Sequence, residues 1–169
     1  MVSHPEPLTN DHEVHSFSCG KPALDDWLKN RARSNQRHGF TVVVVVHEAG
    51  RVVGYCGLAP TAVEPGLLSR AVRTGQPPNP VPCVLLGQLA TDRAWAGRGI
   101  ASGLLRHAAA RSIEGAKLIG GRALVVRAVD EDAAEYWKRK DFIPSKDDPL
   151  FLFQSFFNLA ASLLKAEDS

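Results

Sequence analysis

The stretch CVLLGQLATDRAWAGRGIASGLLRHA, residues 83–108, says more about the architecture of this 169-residue chain than any other. Its first nine residues, Cys83–Thr91, are mostly apolar and lack a helical period, which predicts a buried strand with Gly87 as a bulge candidate. From Gly99 the period changes, and Ile100, Leu104, Ala108 and Ile113 fall on one helical face. The next apolar run, RALVVRAV at 122–129, is again a strand. Strand, helix, strand in that order predicts a βαβ unit, two parallel strands joined by a right-handed crossover.

Between the first strand and the helix lies WAGRGIAS, residues 95–102, where two glycines flank Arg98 and no carboxylate, histidine or cysteine occurs. Glycine lets the backbone come close to a ligand, and a helix N-terminus presents unpaired amides, so the turn is a candidate anion site. A carboxylate there would repel the ligand, whereas Arg98 attracts it. Other phosphate loops fit less well. A Walker loop requires GxxxxGK[ST], and no lysine follows these glycines. A dinucleotide fingerprint requires GxGxxG, but Ser102 takes the last place and the turn follows several elements. An ordinary tight turn is the competing reading.

Working outward, Pro22 followed by ALDDWLKNRARSNQR predicts a helix opening on proline, acids early and bases late along its dipole. Leu24, Trp27, Leu28 and Ala32 share its apolar face. FTVVVVVH at 40–47, the turn EAGR and VVGYCGLAPTAV at 52–63 predict a β-hairpin. Residues 64–82, which include PPNPVP, predict a loop with one short helix around Leu67–Val72. Asp130 is placed to cap a helix from Glu131 to about Lys140, followed by a last strand at 150–157 and a tail helix at 158–169. Residues 1–16 are polar and read as a flexible arm. The expectation is one mixed α/β domain over 1–169, with a parallel βαβ core in a mostly antiparallel sheet and helices on both faces.

Composition narrows the classes of function. Hydrophobic residues make up 44% and charged residues 22%, as in ordinary globular chains. No apolar run is long enough to span a bilayer, and the N-terminus lacks a signal-peptide layout, so a cytoplasmic protein is expected. Cys19, Cys56 and Cys83 are far apart and predict reduced structural thiols. His12 and His15, three apart in the polar arm, predict a solvated pair, and no metal is expected. The net charge is only +2, but bases cluster at Lys29, Arg31, Arg33 and Arg37, at Arg70 and Arg73, and at Lys138–Arg139–Lys140. Such clusters are either solvated helix faces or grips for a phosphate-rich partner.

LGQLATDRAWAGRGIASGLLRHA also resembles the acetyl-CoA-binding motif of the GNAT family of N-acetyltransferases, whose signature is [Q/R]xxGx[G/A] after a bulged strand. Gly99 and Ala101 fill its last two defined places, and Ala96 stands where Gln or Arg is usual. FSCGKPALDDWLKNRA, VVGYCGLAPTAV and DEDAAEYWKRKDFIPSKDDPLFLF extend the likeness to one branch, the acetyltransferase toxins of bacterial toxin–antitoxin modules. The resemblance implies the GNAT fold and acetyl-CoA as cosubstrate. It implies acetylation of the amino group of aminoacyl-tRNA, which blocks translation. It places cofactor contacts at Leu89, Ala90, Thr91 and Ala96–Ser102, that is Ala96, Gly97, Arg98, Gly99, Ile100, Ala101 and Ser102. Lys29, Arg33, Arg37, Lys138 and Arg139 would then grip tRNA phosphates. It further implies a homodimer, neutralised by a small ribbon-helix-helix antitoxin, that reaches DNA only through the antitoxin complex.

The chemistry needs little acid–base help. An α-amino group has a pKa of roughly 7.7–8.0, against about 10.4 for lysine, and esterification to tRNA lowers it further. Positioning supplies much of the catalysis. The family places a tyrosine acid in FYxxxGF; here the segment is EYWKRKDF, with Trp137 in the tyrosine's place, Tyr136 one residue earlier, Asp141 for Gly and Phe142 for the final Phe. Three readings stay open: a shifted Tyr136, catalysis without an acid and with Trp137 as donor or wall, or lost activity. A small-amine or protein acetyltransferase, or a catalytically impaired acetyl-CoA-binding module, are the alternatives to the toxin.

Overall fold

In the computed structural model, which describes residues 1–168 with side chains through residue 165, thirteen elements follow in order. They are β1 (Glu6–Pro7), α1 (Pro22–Asn30), α2 (Ala32–Arg37), β2 (Val42–Glu48), β3 (Arg51–Val63), α3 (Arg70–Arg73), β4 (Val81–Thr91), α4 (Ile100–Ile119), β5 (Ala123–Arg127), α5 (Glu131–Arg139), β6 (Ile143–Pro144), β7 (Phe151–Ser155) and α6 (Phe156–Asp168). The strands form one seven-stranded sheet in the order β1-β2-β3-β4-β5-β7-β6. β4 and β5 run parallel, Val84–Leu86 against Leu124–Val126, as the βαβ reading predicts. β1–β2, β2–β3, β5–β7 and β6–β7 are antiparallel, so the fold is mixed α/β.

The chain divides into two compact units, Met1–Ala59 with Gly87–Ala108, and Pro60–Leu86 with Ala109–Ser169. In the first, five consecutive valines make β2, and Glu48 opposite Arg51 leaves a two-residue turn, Ala49 and Gly50, both at positive φ. Such a turn matches the right-handed twist of its strands. The core gathers Leu8, Val14, Phe17, Leu28, Val43, Val45 and Tyr55. Tyr55 donates from its hydroxyl to the Leu24 carbonyl at 2.6 Å and stacks on Trp27, which ties α1 to the hairpin. In the second unit, Leu68 and Val72 pack with Val81, Val125 and Phe153.

Several expectations need correction. Residues 1–16 are no flexible arm: Ser3 and Leu8 hydrogen-bond β2 through their backbones, β1 pairs with it, and Leu8 and Val14 are buried. The apolar residues spaced through a polar segment are what hold it down. The single helix expected from Pro22 breaks at Arg31. α2 is redirected by its own polar side chains, since Gln36 bridges the Leu8 carbonyl and the Val43 amide and Arg33 donates to the Thr9 and His12 carbonyls. On α4 it is Ser112, not Ile113, that is buried. β4 begins at Val81, and β6 precedes the last strand. The tail helix starts at Phe156, and Ser169, its expected end, lies outside the described residues.

Candidate active site

The glycine turn sits in the first unit and is built on a buried strut. Asp92, at the end of β4, caps the 3-10 turn Arg93–Trp95 by accepting from the Ala94 amide at 2.9 Å. Its other carboxylate oxygen accepts from the Ser18 amide at 3.1 Å, and its backbone amide donates to Val53 at 2.8 Å. Only 3% of Asp92 is exposed, so the start of the turn is fixed to two neighbouring segments. Arg98 then lies over the Trp95 ring at 4.5 Å, a cation–π contact worth about 0.5–1 kcal/mol at an exposed site.

Gly97 and Gly99 both adopt left-handed backbone, φ +78 and +79. No atom lies within 4 Å of where a Cβ would stand on either, so the glycines serve the conformation and keep open space in front of the turn. Ala96, Gly97, Arg98 and Gly99 are exposed, Ile100 is buried to anchor the helix, and Ala101 and Ser102 are half-buried. The Gly103 amide bonds back to the Gly99 carbonyl, so the amides ahead of it form the open first turn of α4. An anion fits this arrangement: backbone donors, a helix N-terminus and one guanidinium. On β4, Ala90 is buried, Leu89 and Thr91 are half-buried, and the buried atoms Thr91 Oγ1 and Gln88 Oε1 have no hydrogen-bond partner.

Tyr136 and Trp137 belong to the second unit, on the last turn of α5. Asp130 caps this helix as expected, accepting from the Ala133 amide at 2.9 Å. Its far end closes with the Asp141 amide donating to Lys138 and the Phe142 amide donating to Trp137, with Asp141 at φ +68. This paired closure wants a left-handed residue at the position after the cap, usually glycine. Trp137 and Phe142 supply its apolar contact, ring to ring at 5.1 Å. Trp137 is thus 7% exposed and held by packing. The Tyr136 hydroxyl is buried without a hydrogen-bond partner, and burial pushes its pKa up despite the opposing field of Arg139. It therefore stays protonated across the physiological range, a standing donor.

The candidate tRNA residues divide. Lys29, Arg37 and Arg139 are exposed, Lys138 pairs with Glu135, and Arg33 is engaged with the Thr9 and His12 carbonyls. Asp92 was missed from the sequence, although an Asp just ahead of a tight turn is a local signal for such a cap.

One cluster among the described residues has the composition of a metal site: Glu6, His12 and His47. This corrects the solvated His12–His15 pair, since His12 is 8% exposed and paired elsewhere. Glu6 Oε1 accepts from His12 Nε2 at 2.9 Å and His47 Nε2 at 2.8 Å. On each ring Nδ1 accepts a backbone amide, from Thr9 and from Gly50, which places the ring proton on Nε2. A metal at Nε2 would require that proton on Nδ1, where an N–H already points. The cluster is built for hydrogen bonding. Burial, the largest cause in each case, pushes Cys19 and Cys83 up to about 11 and Cys56 up to about 12, so none is a nucleophile near neutrality. No helix among the described residues is long and apolar enough to cross a membrane.

Comparison with known proteins gives these features a context. Residues 38–144 match the family described as Acetyltransferase (GNAT) domain. A tRNA-acetylating toxin of Mycobacterium tuberculosis is 41% identical over 150 residues, 89% of this chain and 90% of that protein. The solved structure of AtaT complexed with acetyl-methionyl-tRNAfMet superposes with a TM-score of 0.86 at 26% identity, covering 95% of this chain and 98% of that one. A mutant AtaT toxin bound to the C-terminus of the antitoxin AtaR and acetyl-CoA gives a TM-score of 0.78 at 26% identity, over 94% and 95% of the two chains.

Proposed function

The chain belongs to the GNAT acetyltransferases, enzymes that draw on acetyl-CoA, and from that premise we propose that its acceptor is the α-amino group of an aminoacyl-tRNA. Capping that amine stops the amino acid from entering translation, which makes the protein a toxin. A cognate antitoxin, a small ribbon-helix-helix protein, holds it in check. The working form is a homodimer, and DNA is reached only through the antitoxin. Charged tRNA and acetyl-CoA place the reaction in the cytoplasm. The observation that carries this reading is 41% identity to a tRNA-acetylating toxin across nine-tenths of both chains.

In this reading acetyl-CoA supplies an activated thioester acyl group. The amides at Gly97–Ser102 and the Arg98 guanidinium hold its pyrophosphate, with left-handed glycines keeping the approach clear. The strand segment Leu89–Thr91 lies along the acyl arm, and a backbone amide near Leu89 or Ala90 polarises the carbonyl. The Tyr136 hydroxyl donates a hydrogen bond to the departing sulfur. A thiolate with a conjugate acid near 8.5 leaves without a strong acid, so this donor accelerates the step and is not indispensable. Trp137 holds Tyr136 in place through an edge-to-face contact at 5.2 Å. No side-chain base is required, because much of the esterified amine is neutral at cellular pH.

The test is incubation with labelled acetyl-CoA and total charged tRNA. Label should appear on the aminoacyl group with the wild type. Tyr136→Phe should cut the rate about tenfold to a hundredfold, at the low end for a lost proton donor. Trp137→Phe should keep most of the activity. Bound acetyl-CoA with no labelled tRNA would select the impaired binding module, and label on small amines or protein termini alone would select the other acceptor classes.

A further inference from the structure

The second unit holds a cavity that none of these roles uses. It measures about 480 Å³ and is lined by Leu68, Arg70, Arg73, Ser145, Lys146 and Phe153, among others. Apolar side chains fix its walls: Leu68 and Phe153 belong to the core, and Val72 beside them anchors the four residues of α3. The Arg122 guanidinium donates to the Val72 carbonyl at 2.6 Å, and the Ser145 amide donates to Phe151 at 2.8 Å. Both walls are therefore pinned by hydrogen bonds. A second cavity, of about 610 Å³, is also lined by Arg70 and Arg73.

The charge is one-sided. Arg70 and Lys146 are exposed and Arg73 is half-buried, and no carboxylate pairs with any of them among the described residues. Asp147 is the one acid among the described lining residues. Ser145 is 4% exposed, and its hydroxyl is buried with no hydrogen-bond partner. Three cations and an unanswered hydroxyl around one concavity form a donor set for a tetrahedral anion: two guanidinium forks, an ammonium and an O–H. Thr74, at the end of α3, sits at φ +55, a conformation that a β-branched residue rarely adopts, and it turns the chain just after Arg73.

We propose that this pocket binds a phosphate of the tRNA acceptor, with Arg70, Arg73, Lys146 and the Ser145 hydroxyl as its donors. It rests on the tRNA reading above, and it names where the acceptor's backbone is gripped. A phosphate of acetyl-CoA has the same chemistry, so the experiment separates the two sources. An acidic peptide, which a basic lining also suits, is kept as an outcome of the test.

The test compares wild type, Arg70→Ala/Arg73→Ala, Ser145→Ala and Lys146→Glu, the last on an exposed side chain whose replacement leaves packing intact. Binding of labelled, uncharged tRNA is measured by filter retention between 50 and 300 mM salt, alongside acetyl-CoA affinity by calorimetry. The double variant should weaken tRNA binding at least tenfold at about 100 mM salt and flatten the salt slope by about 0.7–0.9, the share of one lost phosphate contact. Lys146→Glu should act in the same direction, and acetyl-CoA affinity should stay within twofold. Unchanged tRNA affinity and slope in both variants overturns the proposal. Weakened acetyl-CoA binding with intact tRNA binding overturns it in favour of the cofactor, and a loss seen only for an acidic antitoxin peptide overturns it in favour of that partner. The wild-type acetylation assay stands apart. Arginine-dependent tRNA binding without acetyl transfer leaves the pocket and removes the toxin function, whereas transfer that ignores Arg70 and Arg73 does the reverse.

Discussion

Asp141 occupies a left-handed position that a glycine fills more cheaply, and it completes the closure of α5 without one. Asp141→Gly should therefore stabilise the protein by about 0.5–1 kcal/mol and raise Tm by roughly 2–4 °C per kcal/mol, read by calorimetry. The departure from the family's glycine is thus a matter of stability, and the cap survives it. In the first unit, His12 and then His47 hold the Glu6 carboxyl below its ordinary value near 4.5. A depressed carboxyl stabilises the fold above its unfolded pKa, and the gain is lost as pH falls through the folded pKa. Amide exchange of the Val44–Val45 segment opposite β1 should accordingly speed up only below about pH 4.5, and Glu6→Gln should remove that pH step. The thiols make a third residue-level case. Their raised pKa values predict that Ellman's reagent leaves Cys56 and Cys83 unmodified in the native protein at pH 7.5, and that denaturant exposes all three cysteines. The glycine turn could be read in the sequence because glycine announces its conformation. The left-handed Asp141 could not, because nothing local distinguishes it from an ordinary helix-end acid.

At the scale of elements, periodicity was legible wherever a segment is long enough to show one. The valine run, the first three members of the α4 stripe (Ile100, Leu104 and Ala108) and the Asp130 cap all appear where the sequence puts them. β6, with two residues, carries no period, and the break between α1 and α2 depends on partners far away in sequence. How tightly elements approach is equally silent. A Cβ on Gly54 of β3 would stand 2.6 Å from the Ile100 side chain and 3.1 Å from Leu104, so the first turn of α4 lies nearly on the strand. A branched methyl has little room to retreat. Gly54→Ala should cost about 1–3 kcal/mol, measured by urea unfolding, and should disturb the neighbouring glycine turn.

For the molecule as a whole, contacts between distant segments were the least visible. The clamp of Glu6 on His47 spans 41 residues of sequence, and it turned an expected arm into part of the sheet. Family likeness, by contrast, exposed the acetyl-CoA chemistry as soon as strand, turn and helix were read together. Acetyl-CoA at a hundred times its Kd should accordingly stabilise the folded protein by about 2.7 kcal/mol. Gly97→Ala/Gly99→Ala should shrink the ligand-induced rise in Tm while the protein still unfolds cooperatively. The sheet's outermost strands, β1 and β6, are two residues long, and each contains a proline, Pro7 and Pro144. A neighbouring chain arriving to extend the ladder would find few amides to grasp on either flank. Crowded copies are therefore steered away from fibril growth and stay dispersed at concentrations where a long open edge would recruit its neighbours.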